Sequence, residues 1–285
     1  MVSVDAIGPH KGGWRMLYGA REFRLNIQNM EFDCLSFGRG KQPLVMIQGL
    51  NTRGIKGAAL SLAWMYRIFA KAYTVYLFDR RPVVQPGITV RDMASDVAAA
   101  MDLLGIRNAD VFGVSQGGMI AQYLAIDRPD LVRKLALAVT LSRNNDTVAR
   151  VVTGWMDMTK RGEMKALVED MAEKMYSDAY VKRYRPLMSL LTILQRPKDV
   201  ERFITLAQAC LSCDTYGMLE RIKCPVLVMG GKEDRVVTGE ASEEIAAKLG
   251  CRCHMYDGLG HAAYEEAGDF NRIVYAFFSG RTDAG

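Results

Sequence analysis

Ala109-Asp110-Val111-Phe112-Gly113-Val114-Ser115-Gln116-Gly117-Gly118-Met119-Ile120-Ala121-Gln122-Tyr123-Leu124 is the stretch that decides the fold. An apolar run leads into Gly113-Val114-Ser115-Gln116-Gly117, and a helix-compatible segment follows. Strand, Gly-x-Ser-x-Gly, helix is the local context in which a serine becomes a nucleophile. The turn is so tight that small residues must flank the serine two positions either side, because larger Cβ atoms would collide across it. The serine is then held in a strained backbone conformation with its hydroxyl projecting. The same spacing also arises by chance, so the chemistry requires further parts elsewhere in the chain.

Working outward, short apolar runs alternate with helical periodicity. Pro43 to Ile47 and Tyr73 to Phe78 read as strands buried on both faces. Leu60 to Lys71 and Val90 to Leu104 carry apolar residues at helical spacing, and a further strand is expected over Lys134 to Thr140. Arg21 to Gln28 and Met30 to Phe37 alternate apolar and polar side chains, as an antiparallel hairpin does. Residues 1 to 20 are expected to form an irregular arm. From Asn144 to about Glu220 the strand signal disappears, and this stretch holds seven of the 17 methionines. The alternation resumes with Pro225 to Met229, a helix from Glu240 to Leu249, a strand from Cys253 to Tyr256 and a helix from Asp269 to Phe278. Buried strands alternating with helices imply an α/β fold with a mostly parallel sheet. The expected organisation is one core formed by residues 1–143 and 221–285, with a helical insertion at 144–220.

With 285 residues and 49% hydrophobic content, the chain can bury one large core. A net charge of +5 is too small and too dispersed to argue for nucleic acid or a membrane surface. No apolar run approaches the roughly 20 residues of a membrane span, and Met1 to Met16 lack the apolar core of a secretory signal. The expectation is a cytoplasmic protein, and a homodimer is compatible with it. Cys210/Cys213 and Cys251/Cys253 could supply four zinc ligands, but the first pair falls in a helical-looking segment without a glycine-rich knuckle. Buried or half-buried free thiols are expected for all six cysteines, with no metal.

A serine nucleophile needs a general base, usually histidine. Of three histidines, His10 lies in the N-terminal arm and His254 within a strand. His261 follows the last strand in the glycine-rich Gly258-Leu259-Gly260-His261, which carries it beyond the sheet's carboxyl edge. A carboxylate must hold the imidazole in its productive tautomer. Asp234, after Val226 to Met229, is the leading candidate; Glu233 and Asp146 are competitors, and Asp257 is too close in sequence to His261 to be preferred.

Ser115, Asp234, His261 is the chain order of the α/β-hydrolases. Pro225 to Val237 resembles that family's acid-bearing strand and loop, and Gly258 to Glu266 resembles its histidine loop. The resemblance extends from about residue 21 to 280. It implies that the insertion at 144–220 is the family's helical lid. It also implies an oxyanion hole made by the backbone N–H of Gln116, at a helix start that favours negative charge, and by that of Leu50. The family's His-Gly-x-Pro loop reads Gln48-Gly49-Leu50-Asn51 here, so the histidine and proline are missing, and Asn51 could add a side-chain donor near the substrate.

The lid's Met156, Met158, Met164, Met171, Met175, Met188 and Met218, with Trp155 and several tyrosines, could line an adaptable apolar pocket or simply form the buried faces of helices. Lys182, Arg183, Arg185, Arg196 and Lys198 form a basic run that would suit a substrate carboxylate or an acidic acyl-carrier partner; a solvated turn explains it equally well. The leading function is a cofactor-free serine hydrolase of a small or medium carboxylic ester or lactone. The resemblance also permits a carbon–carbon bond hydrolase, an acyltransferase, or a receptor-like ligand-binding protein with little turnover.

Overall fold

The computed structural model describes residues 4–5, 17–27, 29–187 and 196–281. Nine strands form one sheet: β1 (Val4–Asp5), β2 (Arg21–Ile27), β3 (Met30–Gly38), β4 (Gln42–Ile47), β5 (Tyr73–Phe78), β6 (Ala109–Val114), β7 (Val132–Ala138), β8 (Val226–Gly231) and β9 (Arg252–Tyr256). Their order is β1-β2-β3-β5-β4-β6-β7-β8-β9. The strands from β5 across to β9 pair in parallel, while β1, β2 and β3 add antiparallel pairings at one edge, including the expected hairpin. The arm is thus not wholly irregular, because Val4 and Asp5 pair with β2.

Alternation along each strand builds a core on both faces of the sheet. Val45 and Ile47 of β4 pack into the core that contains α2 (Val90–Leu103) and α3 (Gln116–Asp127). Leu44 and Met46 point the other way, toward α1 (Ala59–Met65) and the C-terminal helix Phe270–Ser279. α2 begins at a capping box in which Thr89 and Asp92 satisfy each other's backbone N–H. In β6, Asp110 is fully buried and paired with Arg133 at 2.5 Å, which is how an acid survives inside a central strand.

Two expected boundaries shift. α1 stops at Met65, because Phe69 and Ala70 bond to carbonyls three residues back. That tightening turns Phe69 into the core and places the Tyr66 ring against Phe112. β7 ends at Ala138, not Thr140: Val139 takes φ 44°, so Thr140 leaves the sheet beneath Ser115.

Between β7 and β8 the described elements are helical: α4 (Asp146–Lys160), α5 (Met164–Met175), α6 (Asp178–Tyr184) and α7 (Val200–Cys210), with short 3-10 turns. Asn145, Ser177 and Asp199 cap three of them by accepting a backbone N–H. Met188 and His10 lie outside the described residues. After β8 come α8 (Gly239–Leu249), α9 (Ala263–Glu266) and α10 (Phe270–Ser279). Among the described residues, no helix is long and apolar enough to cross a membrane.

Phe112 stands in the central strand that leads to Ser115, 2% exposed, with its ring between those of Tyr66 and Phe270. Phe112→Ala is expected to lower the unfolding free energy by about 3–5 kcal/mol, read as a shift of the urea midpoint.

Candidate active site

Ser115 joins β6 to α3 at φ 53°, ψ −120°. A non-glycine residue holds such a conformation only where its surroundings over-determine it. Three contacts do so. The Ser115 N–H donates to the Ala138 carbonyl at 2.9 Å, and the Ser115 carbonyl accepts from Gly118 N at 2.8 Å and from Thr140 Oγ1 at 2.7 Å. The flanking glycines are required by contact: a Cβ at Gly117 would lie 1.9 Å from the Ile47 carbonyl oxygen, and one at Gly113 would lie 2.5 Å from the Gly117 oxygen.

His261 reaches the serine from the loop after β9. Ser115 Oγ lies 2.9 Å from His261 Nε2, and His261 Nδ1 lies 2.8 Å from Asp234 Oδ2. With the proton on Nδ1 donated to the carboxylate, Nε2 is the acceptor for the serine O–H. The other oxygen of Asp234 accepts from Val236 N at 2.7 Å and Val237 N at 3.0 Å, so the carboxylate is held from both sides. His261 is 4% and Asp234 7% exposed, which excludes competing water from the line of bonds. The competing carboxylates are elsewhere. Glu233 and Asp146 face solvent, and Asp257 pairs with Lys232 at the surface. His254 stays on β9 with its ring against Tyr256.

The Gln48-Gly49-Leu50 loop runs directly beside the nucleophile, where a Cβ at Gly49 would stand 3.2 Å from Ser115 Cβ. Gln116 N–H is the first of α3, without an intrahelical acceptor. The Gln116 side chain is buried and points away, donating to the Leu206 carbonyl at 2.7 Å and to Cys210 Sγ at 3.2 Å. The Asn51 amide donates to Gln48 Oε1 at 3.1 Å, and Asn51 lines the two cavities beside the loop, not the one holding Ser115.

Sequence reasoning missed what fixes this loop. Arg80, at the carboxyl end of β5, donates from Nη2 to the Gln48 carbonyl at 2.5 Å. Burial pulls its pKa down to about 10 against the opposing pull of Asp79. Asp79 in turn accepts from Ile55 N, Arg80 N and Arg202 of α7. The signal was available: Asp79-Arg80-Arg81 is a charged run at the end of a buried strand, next to the loop that follows β4.

The cavity at Ser115 is small, about 40 Å³, and lined by Leu50, Met119, Trp155, Met171, Met175, Tyr264 and their neighbours. Trp155 is in this wall, with its indole N–H donated to Asp170 at 2.7 Å. Arg183 and Arg185 are exposed on α6 and the turn after it, and neither lines this cavity. In its described part the basic run is exposed, with Lys182 and Arg183 in the last turn of α6, Arg185 just after it, and Arg196 and Lys198 ahead of α7. Of the cysteines, Cys34, Cys210 and Cys213 are buried, Cys224 and Cys251 half-buried, and Cys253, contrary to expectation, exposed at the sheet edge. Among the described residues, no group of three or more His, Cys, Asp or Glu side chains is placed to hold a metal.

A sequence model of the alpha/beta hydrolase fold matches residues 42–268. The chain is 28% identical over 230 residues to the dihydrolipoyllysine-residue acetyltransferase component of the acetoin cleaving system of Cupriavidus necator. That match covers 76% of this chain but only 60% of the relative's length. It is 24% identical over 223 residues to 3-oxoadipate enol-lactonase 2 of Acinetobacter baylyi, covering 75% of this chain and 80% of the relative. The solved enol-lactonase of Burkholderia xenovorans LB400 superposes with a TM-score of 0.79 at 21% identity, over 90% of this chain and 99% of that one, a likeness of fold. With the family's sequence pattern running through most of its length, the chain belongs to the alpha/beta hydrolase family.

Proposed function

We propose that the protein is a serine hydrolase that cleaves a small or medium carboxylic ester or lactone through an acyl-enzyme on Ser115. The observation that carries this reading is the unbroken line of bonds from Asp234 through His261 to Ser115 Oγ. Similarity to an enol-lactonase supports the lactone side of it. In this reading Ser115 attacks the carbonyl carbon while His261 Nε2 takes its proton. Asp234 holds the ring and stabilises the imidazolium that forms. The developing oxyanion is received by the N–H groups of Gln116 and Leu50. His261 returns the proton to the leaving alcohol, and water, activated by the same histidine, releases the acid. No cofactor enters.

The segment 144–220 acts as the lid on a core made of residues 1–143 and 221–285. Supporting this, α4, α5 and α7 contribute Val148, Val152, Trp155, Met171, Met175 and Cys210 to the wall around Ser115.

A fluorophosphonate probe reacts only with an activated serine. Stoichiometric labelling of the wild-type protein is expected, lost in Ser115→Ala; absence of labelling in freshly prepared wild-type protein would defeat the hydrolase reading. Asp234→Asn leaves the shape of the acid but fixes the wrong histidine tautomer. It is expected to lower kcat by about 10⁴-fold with little change in KM, measured on whichever chromogenic ester or lactone the wild type turns over best.

A further inference from the structure

At about 40 Å³ the Ser115 cavity has room for a reacting carbonyl and little else. A second cavity of about 250 Å³ shares Gly49, Leu50 and Tyr264 with it, and Val114, the residue before the nucleophile, is also in its wall. Gly49, Leu50 and Tyr264 therefore face both cavities. We propose that this second cavity is the acyl chamber of the enzyme and takes an uncharged, apolar acyl group of about six to ten carbons, since roughly 150 Å³ already accommodates benzene. The inference rests on the ester-hydrolase reading of Ser115.

The geometry of the reacting carbon selects the acyl arm. Its oxygen must face the Leu50 and Gln116 N–H groups, and its leaving oxygen must face His261 Nε2, which delivers the proton. The third substituent is the acyl chain. The large cavity is bounded by the Gln48–Leu50 loop and does not include His261, which belongs to the small cavity.

The lining sets the chemistry. Leu62, Met65, Tyr66, Leu77, Phe112 and Val114 make it predominantly apolar. Among the described residues that line it there is no lysine, arginine or histidine, and the acidic one is Glu265. A free carboxylate at the chain end would be desolvated beside another acid with no cation to receive it. Met65, one of six exposed large hydrophobic side chains among the described residues, is itself in the cavity wall and gives it an apolar edge toward solvent.

The test uses 4-nitrophenyl esters as substrates of the 285-residue wild-type protein and of two variants, Ala58→Trp and Leu62→Trp, which fill the chamber from the α1 side. For the wild type, kcat/KM is expected to rise at least about tenfold from acetate to octanoate, and to fall at least about tenfold from octanoate to the half-ester of the eight-carbon dicarboxylic acid. In either variant that retains the wild-type Tm within a few degrees, the octanoate-to-acetate ratio is expected to drop at least about tenfold. An unchanged ratio in both variants overturns the proposal, as does a wild-type kcat/KM that does not rise from acetate to octanoate. Loss of fluorophosphonate labelling in the wild type would instead remove the hydrolase reading on which it rests.

Discussion

The arrangement of the site depends on one backbone conformation, that of Ser115 at φ 53°, ψ −120°. Holding a non-glycine residue there costs about 1–3 kcal/mol. The hydrogen bonds to Ala138, Gly118 and Thr140 each return about 1 kcal/mol net. They come from the end of β7, from Thr140 just beyond it and from the first turn of α3, so the strain is offset by elements packed against the turn. Thr140 is available for this role only because Val139, a β-branched residue, takes φ 44° and ends β7 one residue before its apolar run does. One strained residue thus supports another. The absence of side chains at Gly113 and Gly117 then lets α3 start against the β4 carbonyls, which brings the Gly49 backbone to the serine.

Much of this was legible in the sequence because it is local. Tight turns demand glycine, buried parallel strands demand continuous apolar runs, and helix starts demand caps; the elements from β2 to β9 and the Ser115, Asp234 and His261 positions follow from such patterns. What was not legible depends on neighbours distant in sequence. Nothing in the sequence shows that Arg202, 123 residues after Asp79, reaches back to it and to the Arg80 carbonyl beneath the Gln48 loop. The basic residues 182 to 185 have a composition suited to an anion and a position that is not, because α6 presents them to solvent. Arg80 was passed over for the converse reason: charged residues after a strand usually face water, whereas this one is buried beneath the loop from another strand.

That buried arginine explains how the Gln48 loop keeps its course without the family's histidine and proline. A charged donor at 2.5 Å from the Gln48 carbonyl is a stronger anchor than a neutral bond, and it orients the peptide that precedes Gly49. Asp79 balances the charge, and Arg202 of α7 bonds to Asp79 and to the Arg80 carbonyl. The loop beside the serine, the end of β5 and the last long helix of the insertion are therefore one connected unit. Gln116 adds a second tie between the nucleophile turn and α7. A substitution at Arg202, far from the reacting atoms, would act on the same carbonyl.

The opposite flank of the insertion is held just as firmly. Ala262 N, next to His261, bonds the Met175 carbonyl at 2.7 Å, Tyr176 donates to Glu265 at 2.6 Å, and Ser177 bonds Glu266 through both its N–H and its hydroxyl. Lifting α5 and α6 would break these bonds, several of them to carboxylates worth about 1.5–3 kcal/mol each, and would disturb the histidine at the same time. Lifting α7 would break the Arg202 and Gln116 ties. On the hydrolase reading, the helices between β7 and β8 therefore hold the site from both flanks, with the Met175 carbonyl bonded next to His261 and the Leu206 carbonyl bonded to Gln116.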